Sequence, residues 1–285
     1  MENRNLPKKK KTPVKKSNLQ EKLGYFFLIL GFLSFFGFVI GYQYRYQIYR
    51  WIKNSDSIFQ SAHSNRKLTV HDIRNRKILS NHIDKTFGID ISHYNDNIVW
   101  NDVKWIYEEY PINFVIVRSS MGINTKDITY RENWDALHNS RFVRGAYHYY
   151  RPDEPSTEQA QNFINTVQLS SGDLPPILDI EKLPKHQSIN QLKNGIRNWI
   201  DIVERHYGVK PIIYSGQHYF DTYLSPEFND CVLWIANYNS WIKDPQSHWT
   251  VWQFSEKGLV NGIKGHVDLN VFNGNLDDLN QLRIE

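Results

Sequence analysis

Eight short apolar runs recur between residues 87 and 272: FGIDIS (87–92), NFVIVRSS (113–120), VRGAYHYY (143–150), PPILDIE (175–181), KPIIYS (210–215), VLWIANY (232–238), TVWQFS (250–255) and HVDLNVF (266–272). Their length and their β-branched and aromatic content predict strands. Helical patterns separate the earlier ones: NDVKWIYEEY (101–110), ENWDALHNS (132–140), STEQAQNFINTVQ (156–168) and INQLKNGIRNWIDIVERHYG (189–208). Ser156-Thr157-Glu158 after Pro155 is a helix start, and Gly208 is a helix stop. Eight strands alternating with helices predict an α/β fold, a closed β/α barrel. The late connections are short: 239–249 contains Pro245, and 256–265 contains Gly258, Gly262 and Gly265. A parallel crossover needs a dozen or more residues. The expected barrel is therefore irregular, with about five helices and its last strands antiparallel. An open doubly wound sheet is the alternative.

Ahead of the barrel, Leu23 to Tyr42 is a run of twenty residues without a charge. At ~1.5 Å per residue it matches a hydrocarbon core of about 30 Å. It is longer than a signal-peptide core, and no A-x-A site follows it. The expected plan is a basic tail (1–22), a transmembrane anchor (23–42), a juxtamembrane stalk (43–84) and one catalytic domain (85–285). The Lys-rich tail places the N-terminus in the cytoplasm and the domain outside the cytoplasmic membrane. Charge follows the same division. Residues 85–285 carry eighteen Lys or Arg against twenty-five Asp or Glu, so the net +4 of the chain is an N-terminal property. A basic nucleic-acid-binding surface on the domain is excluded. A single cysteine, Cys231, excludes an internal disulfide framework and cysteine-based metal sites.

Active sites of such barrels sit at the C-terminal strand ends. Polar residues there are Asp90 and Ser92, Tyr147 and Tyr149, Asp179 and Glu181, Tyr214, Asn237 or Tyr238, Trp252 and Gln253, and Asp268 and Asn270. Strand alternation puts Asp179 and Glu181 on one face. Closure of the barrel sets Asp268 beside Asp90. Four carboxylates in a collar of Tyr and Trp suit glycoside hydrolysis: one acid protonates the leaving oxygen and a second carboxylate supports the cationic centre. Crowding raises the pKa of one of them. Glu181, Asp179, Asp90 and Asp268 are the catalytic candidates. Tyr147, Tyr149, Tyr214, Asn237, Trp252 and Gln253 are candidate substrate contacts. His93, His148 and His266 lie near strand ends, but no HExxH-type spacing exists, so no metal and no cofactor is assigned. His93 and His148 are expected to orient carboxylates or fill the mouth, and Lys85 and Arg118 to be ion partners.

The motifs GIDISHYNDNIVWNDVK, FVIVRSSMG, RGAYHYYRP, PPILDIE, PIIYSG, LWIANY, VWQFS and VDLNVFNG, in this order over about residues 87–275, resemble glycoside hydrolase family 25, the Chalaropsis-type lysozymes or N,O-diacetylmuramidases. The resemblance implies a barrel of eight strands and five helices. It implies cleavage of the β-1,4 bond between N-acetylmuramic acid and N-acetylglucosamine, with peptidoglycan strands as the partner. By position Glu181 resembles the family's general acid and Asp179 its acidic partner. Asp90 and Asp268 resemble the Asp residues of the first and last strands. Both a carboxylate nucleophile and participation of the substrate's acetamido group stay open. Two other classes stay open as well: a wall-binding module without turnover, and a metal-dependent hydrolase on the same barrel.

Overall fold

The computed structural model describes residues 68–239, 243–246 and 248–285. The basic tail, the apolar segment 23–42 and the stalk as far as residue 67 lie outside the described residues. Among the described residues no helix is long and apolar enough to cross a membrane.

In chain order the strands are β1 (Thr86–Ile91), β2 (Trp105–Ile106), β3 (Tyr110–Pro111), β4 (Phe114–Met121), β5 (Thr125–Lys126), β6 (Val143–Tyr149), β7 (Ile177–Asp179), β8 (Ile212–Gly216), β9 (Leu233–Ala236), β10 (Val251–Gly258) and β11 (Val267–Phe272). The helices are α1 (Val70–Asn81), α2 (Tyr130–His138), α3 (Ser156–Ile164), α4 (Ile189–Tyr207), the single turn α5 (Gln217–Tyr219) and α6 (Leu276–Gln281). Eight strands form the ring β1-β11-β10-β9-β8-β7-β6-β4, closed by the parallel pairing of β1 with β4. Each of the eight apolar runs supplies one of these strands. β5 only folds back on β4.

Two details differ from the sequence-based expectation. β10 runs parallel to β9, with no helix among the described residues between them; only β11 is antiparallel, to both β10 and β1. Residues 101–110 are not helical. They form the β2–β3 hairpin, whose turn holds Tyr107 and Glu108 at positive φ (53° and 60°). Val103, Ile106 and Tyr110 are buried there, and Ile106 bridges to Val260, so tertiary packing overrides the helical spacing.

The other helices form where their signals stand. Ser188 caps α4 through Gln191, and Gly208 ends it at φ 73°, a left-handed conformation that a Cβ penalises. Leu192, Ile196, Trp199, Ile200 and Val203 give α4 its buried face. Phe114, Ile116, Val143, Ile177, Ile212, Trp234, Val251 and Phe272 belong to one buried core cluster. At Gly88 any Cβ would meet the Phe114 ring at 2.3 Å, so the β1–β4 seam requires glycine there.

The helix α1 lies within the segment read from sequence as a stalk or short helix joining anchor to domain. Thr69 caps it reciprocally with Asp72, and Ile78 and Leu79 are fully buried. Arg74 donates to the Phe254 carbonyl (2.8 Å) and the Asn239 carbonyl (2.7 Å). Asn75 donates to the Tyr107 hydroxyl (2.9 Å). The folded domain therefore begins ahead of residue 85.

Candidate active site

The ends of β1, β7, β10 and β11 converge on a small cavity of about 90 Å³, walled by Asp90, Asp179, Glu181 and Asp268 with Tyr147, Tyr214, Trp234, Tyr238, Gln253 and Glu256. All four sequence-predicted carboxylates reach it. Leu178 and Ile180 are fully buried on the other side of the same segment, so the alternation that separates them from Asp179 and Glu181 is observed. β7 itself ends at Asp179, and a hydrogen bond from Ile180 N to the Tyr214 carbonyl (2.9 Å) extends the pairing toward Glu181.

Asp90 and Asp268 are directly opposite in the β1–β11 register. Oδ2 of Asp90 accepts from Nε2 of Gln253 (2.8 Å) and Nδ2 of Asn270 (2.7 Å). Asn270 in turn accepts from the Trp234 indole (2.8 Å). Oε1 of Gln253 accepts from the Tyr214 hydroxyl (2.7 Å) and from the Tyr238 hydroxyl. Burial pushes Asp90 up to about 6, against the pull of the Asn270 and Gln253 amides. Burial and the neighbouring Asp90 charge push Asp268 up to about 9. Asp268 therefore holds a proton near neutral pH and donates it toward Asp90.

The β7 pair is built differently. Asp179 is buried, and its Oδ1 has no hydrogen-bond partner among the described residues. Its pKa lies well above the usual range, first through burial and then through the charges of Glu181 and Asp90. Glu181 stands at the outer edge of the cavity. Glu181 is exposed to solvent, yet the protein packed around its carboxyl raises its pKa, while Lys182 and the hydroxyls of Tyr214 and Tyr149 act against the rise. Glu181, Tyr214, Tyr238 and Glu256 also line a second, open groove of about 770 Å³, whose far wall includes Gln217, Asn237 and Lys243. Glu181 is thus the acid shared by the small acidic pocket and the open groove.

The predicted substrate contacts divide. Tyr147, Tyr214 and Gln253 wall the cavity, and Asn237 lines the groove. Tyr149 reaches Glu181. Trp252 does not reach the site. It is fully buried, its indole donates to the Asn237 carbonyl (2.9 Å), and it packs on His82, Trp249 and Phe254. Trp252 and Gln253 are adjacent on β10, so only one of them faces inward.

His148 is not at the mouth either. It is fully buried, stacks on Trp199 and hydrogen-bonds Ser120 (2.8 Å) and Gln159 (3.3 Å). Burial lowers its pKa to about 3, so it is a neutral core residue. His93 and Arg118 both pair with Asp127 (3.1 and 2.8 Å). Among the described residues no group of three or more His, Cys, Asp or Glu is placed to hold a metal ion.

Two cavity residues escape the sequence reading. Trp234 sits mid-strand among apolar neighbours. Glu256 follows a register shift between Gln253 and Ser255 on β10, with a second shift after Ser255, so simple alternation misplaces it.

A barrel with crowded, proton-holding carboxylates at its C-terminal mouth defines a glycoside hydrolase. Comparison with known proteins narrows this. Residues 89–263 match the model of "Glycosyl hydrolases family 25", and the chain belongs to that family. The YegX protein of Escherichia coli K12 is 36% identical over 194 residues, 67% of this chain and 71% of that one. Lysozyme M1 of Streptomyces globisporus is 32% identical over 203 residues, 66% and 67% of the two chains. Among solved structures, the bacterial lysozyme from Streptomyces coelicolor superposes with a TM-score of 0.62 at 29% identity, covering 70% of this chain and 96% of that one. A family 25 glycosyl hydrolase from Bacillus anthracis gives 0.63 at 26% identity, covering 70% and 94%.

Proposed function

We propose that this glycoside hydrolase is a muramidase that cuts peptidoglycan between N-acetylmuramic acid and N-acetylglucosamine. The observation that carries the reading is the position of Glu181, which lines both the small acid pocket and the open groove of about 770 Å³ beside it. Lysozyme M1 and the Streptomyces coelicolor lysozyme, relatives by sequence and fold, support the substrate class. In this reading Glu181 protonates the glycosidic oxygen, its raised pKa keeping the proton available. Asp179 offers a buried, unpartnered oxygen that suits the N–H of a 2-acetamido group. The Asp90–Asp268 pair maintains the field around them.

The protein is, in the same proposal, tethered by residues 23–42, with its catalytic domain outside the cytoplasmic membrane. Twenty uncharged residues preceded by a Lys-rich tract support this. A tethered hydrolase reaches the wall nearest its own membrane and serves turnover of that wall. Salt- and carbonate-resistant recovery in the membrane fraction, with the domain digestible by protease added outside, is the expected result. Recovery of the intact chain as a free soluble protein would contradict tethering.

The activity is tested by incubating the full-length chain with purified peptidoglycan, reducing the products and identifying new ends by mass spectrometry. Reduced muramic acid ends are expected, and Glu181→Gln should lower their rate by roughly 10²–10⁴-fold. Ends of another sugar, or equal rates in the variant, would overturn the assignment.

A further inference from the structure

Outside the acid pocket, the turn after β1 presents an aromatic ring in an unusual posture. Tyr94 is 79% exposed, on the short helical turn His93–Asn95. An exposed tyrosine on a surface turn is ordinarily free to rotate. Here both turn and ring are held. Ser92 N donates to Oδ1 of Asn95 (3.0 Å), Asn95 N donates to the Ser92 carbonyl (3.0 Å), and Nδ2 of Asn95 donates to the His266 carbonyl (3.2 Å). The Tyr94 ring leans on the His93 imidazole, with centroids 4.1 Å apart and planes 35° apart. The Arg118 guanidinium lies 5.3 Å from its centroid. His93 and Arg118 are themselves anchored on Asp127, whose side chain is fully buried. Three ionisable groups thus form a footing under a ring left open to solvent.

The placement of this ring suits the polymer. In the ring of eight strands, β8 is four places from β1 in either direction and so lies across the mouth from it. The groove begins at Glu181 and runs over Gly216, Gln217 and Ala236, on the β8–β9 side. Tyr94 follows β1 on the opposite rim. Tyr94 follows Asp90 by four residues just past the end of β1, and Asn95 beside it holds the His266 carbonyl two residues before Asp268, so the ring stands on the rim next to the Asp90–Asp268 pair.

We propose that Tyr94 is a preformed stacking platform for a pyranose ring of the same glycan strand, a subsite beyond the pocket on the β1 side. A flat aromatic face takes the C–H face of a sugar, and fixing its orientation in advance lowers the ordering cost of binding. The proposal rests on the muramidase reading for its substrate but not for its test.

The test compares full-length wild type, Tyr94→Ala and Tyr94→Trp on soluble polymeric glycan strands and on the shortest oligosaccharide the wild type cleaves. On the polymer, Tyr94→Ala should raise KM by roughly tenfold, about 1.4 kcal/mol, with kcat nearly unchanged. Tyr94→Trp should restore the wild-type KM, and the pH profile should not move. The short substrate should show no difference. An unchanged KM on polymer, equal losses on both substrates, or failure of Trp to rescue would overturn the proposal. Co-sedimentation with insoluble peptidoglycan gives a readout independent of turnover. Weaker sedimentation of Tyr94→Ala supports the platform even if no muramic acid ends form, in which case the cleavage reading alone fails. Equal sedimentation of wild type and Tyr94→Ala counts against the platform.

Discussion

The two halves of the acid pocket obey opposite rules. On the β1–β10–β11 side, Asp90 accepts two amide donors, and the second tier of Asn270, Gln253, Trp234, Tyr214 and Tyr238 is joined by hydrogen bonds. On the β7 side, Asp179 keeps a buried oxygen with no partner among the described residues, and Glu181 faces a channel. A satisfied polar network rigidifies and specifies a structure, whereas an unsatisfied buried acceptor costs stability and persists where a ligand supplies the donor. In the proposed reading the first half is a scaffold that holds charge and the second is the half left for the substrate.

That contrast breaks most visibly if the β7 side proves structural. Asp179→Asn should lower kcat by roughly 10²–10³-fold. Its melting temperature should match or exceed the wild type, because no internal hydrogen bond to Oδ1 is lost and a buried acid is removed. A large loss of Tm with retained kcat would invert the comparison. On the scaffold side, Gln253→Ala removes one donor to Asp90 and the acceptor of two tyrosine hydroxyls. A stability loss of about 1–3 kcal/mol by denaturant titration is expected. Unchanged stability would show that the network is ornamental.

The pH dependence sharpens the same point. Burial and the Asp90 charge raise Asp268 from its ordinary 3.8 to about 9 in the folded protein. Below pH ~4 both states hold the proton and its stabilising effect is complete; between these values only the folded state holds it, so stability declines as pH rises. Asp268→Asn retains a donor to Asp90 and should flatten the Tm–pH curve over that interval, its gain in Tm growing toward pH 9. The smallest effect is expected at Glu256, whose charge helps to raise Glu181. Glu256→Gln should move the basic limb of kcat slightly to lower pH, and more weakly at high salt.

Much of this was legible in the sequence because barrel strands and acids obey short-range rules. The alternation in ILDIE separates two acids from two core residues, and the closure of a β/α ring alone sets Asp90 opposite Asp268. The errors arise where tertiary structure overrides local period. Strand alternation already forbids Trp252 and Gln253 from sharing a face; which of the two turns inward is set by packing, with His82 at the end of α1 against the Trp252 ring. That helix, α1, buries Asp72 and Asn75 along with Ile78 and Leu79, so its inner face does not read as apolar. Glu256 depends on irregular pairing of β10, which no spacing rule reveals.

The position of α1 also decides where this protein can be cut. Arg74 and Asn75 bond the backbone of β10 at Phe254 and Lys257, one and four residues beyond Gln253. A protease or a gene truncation acting at residue 85 would therefore not trim an idle spacer. It would strip one wall from the strand that steadies Asp90. A release that spares the enzyme has to fall upstream of Thr69, the residue that starts the helix.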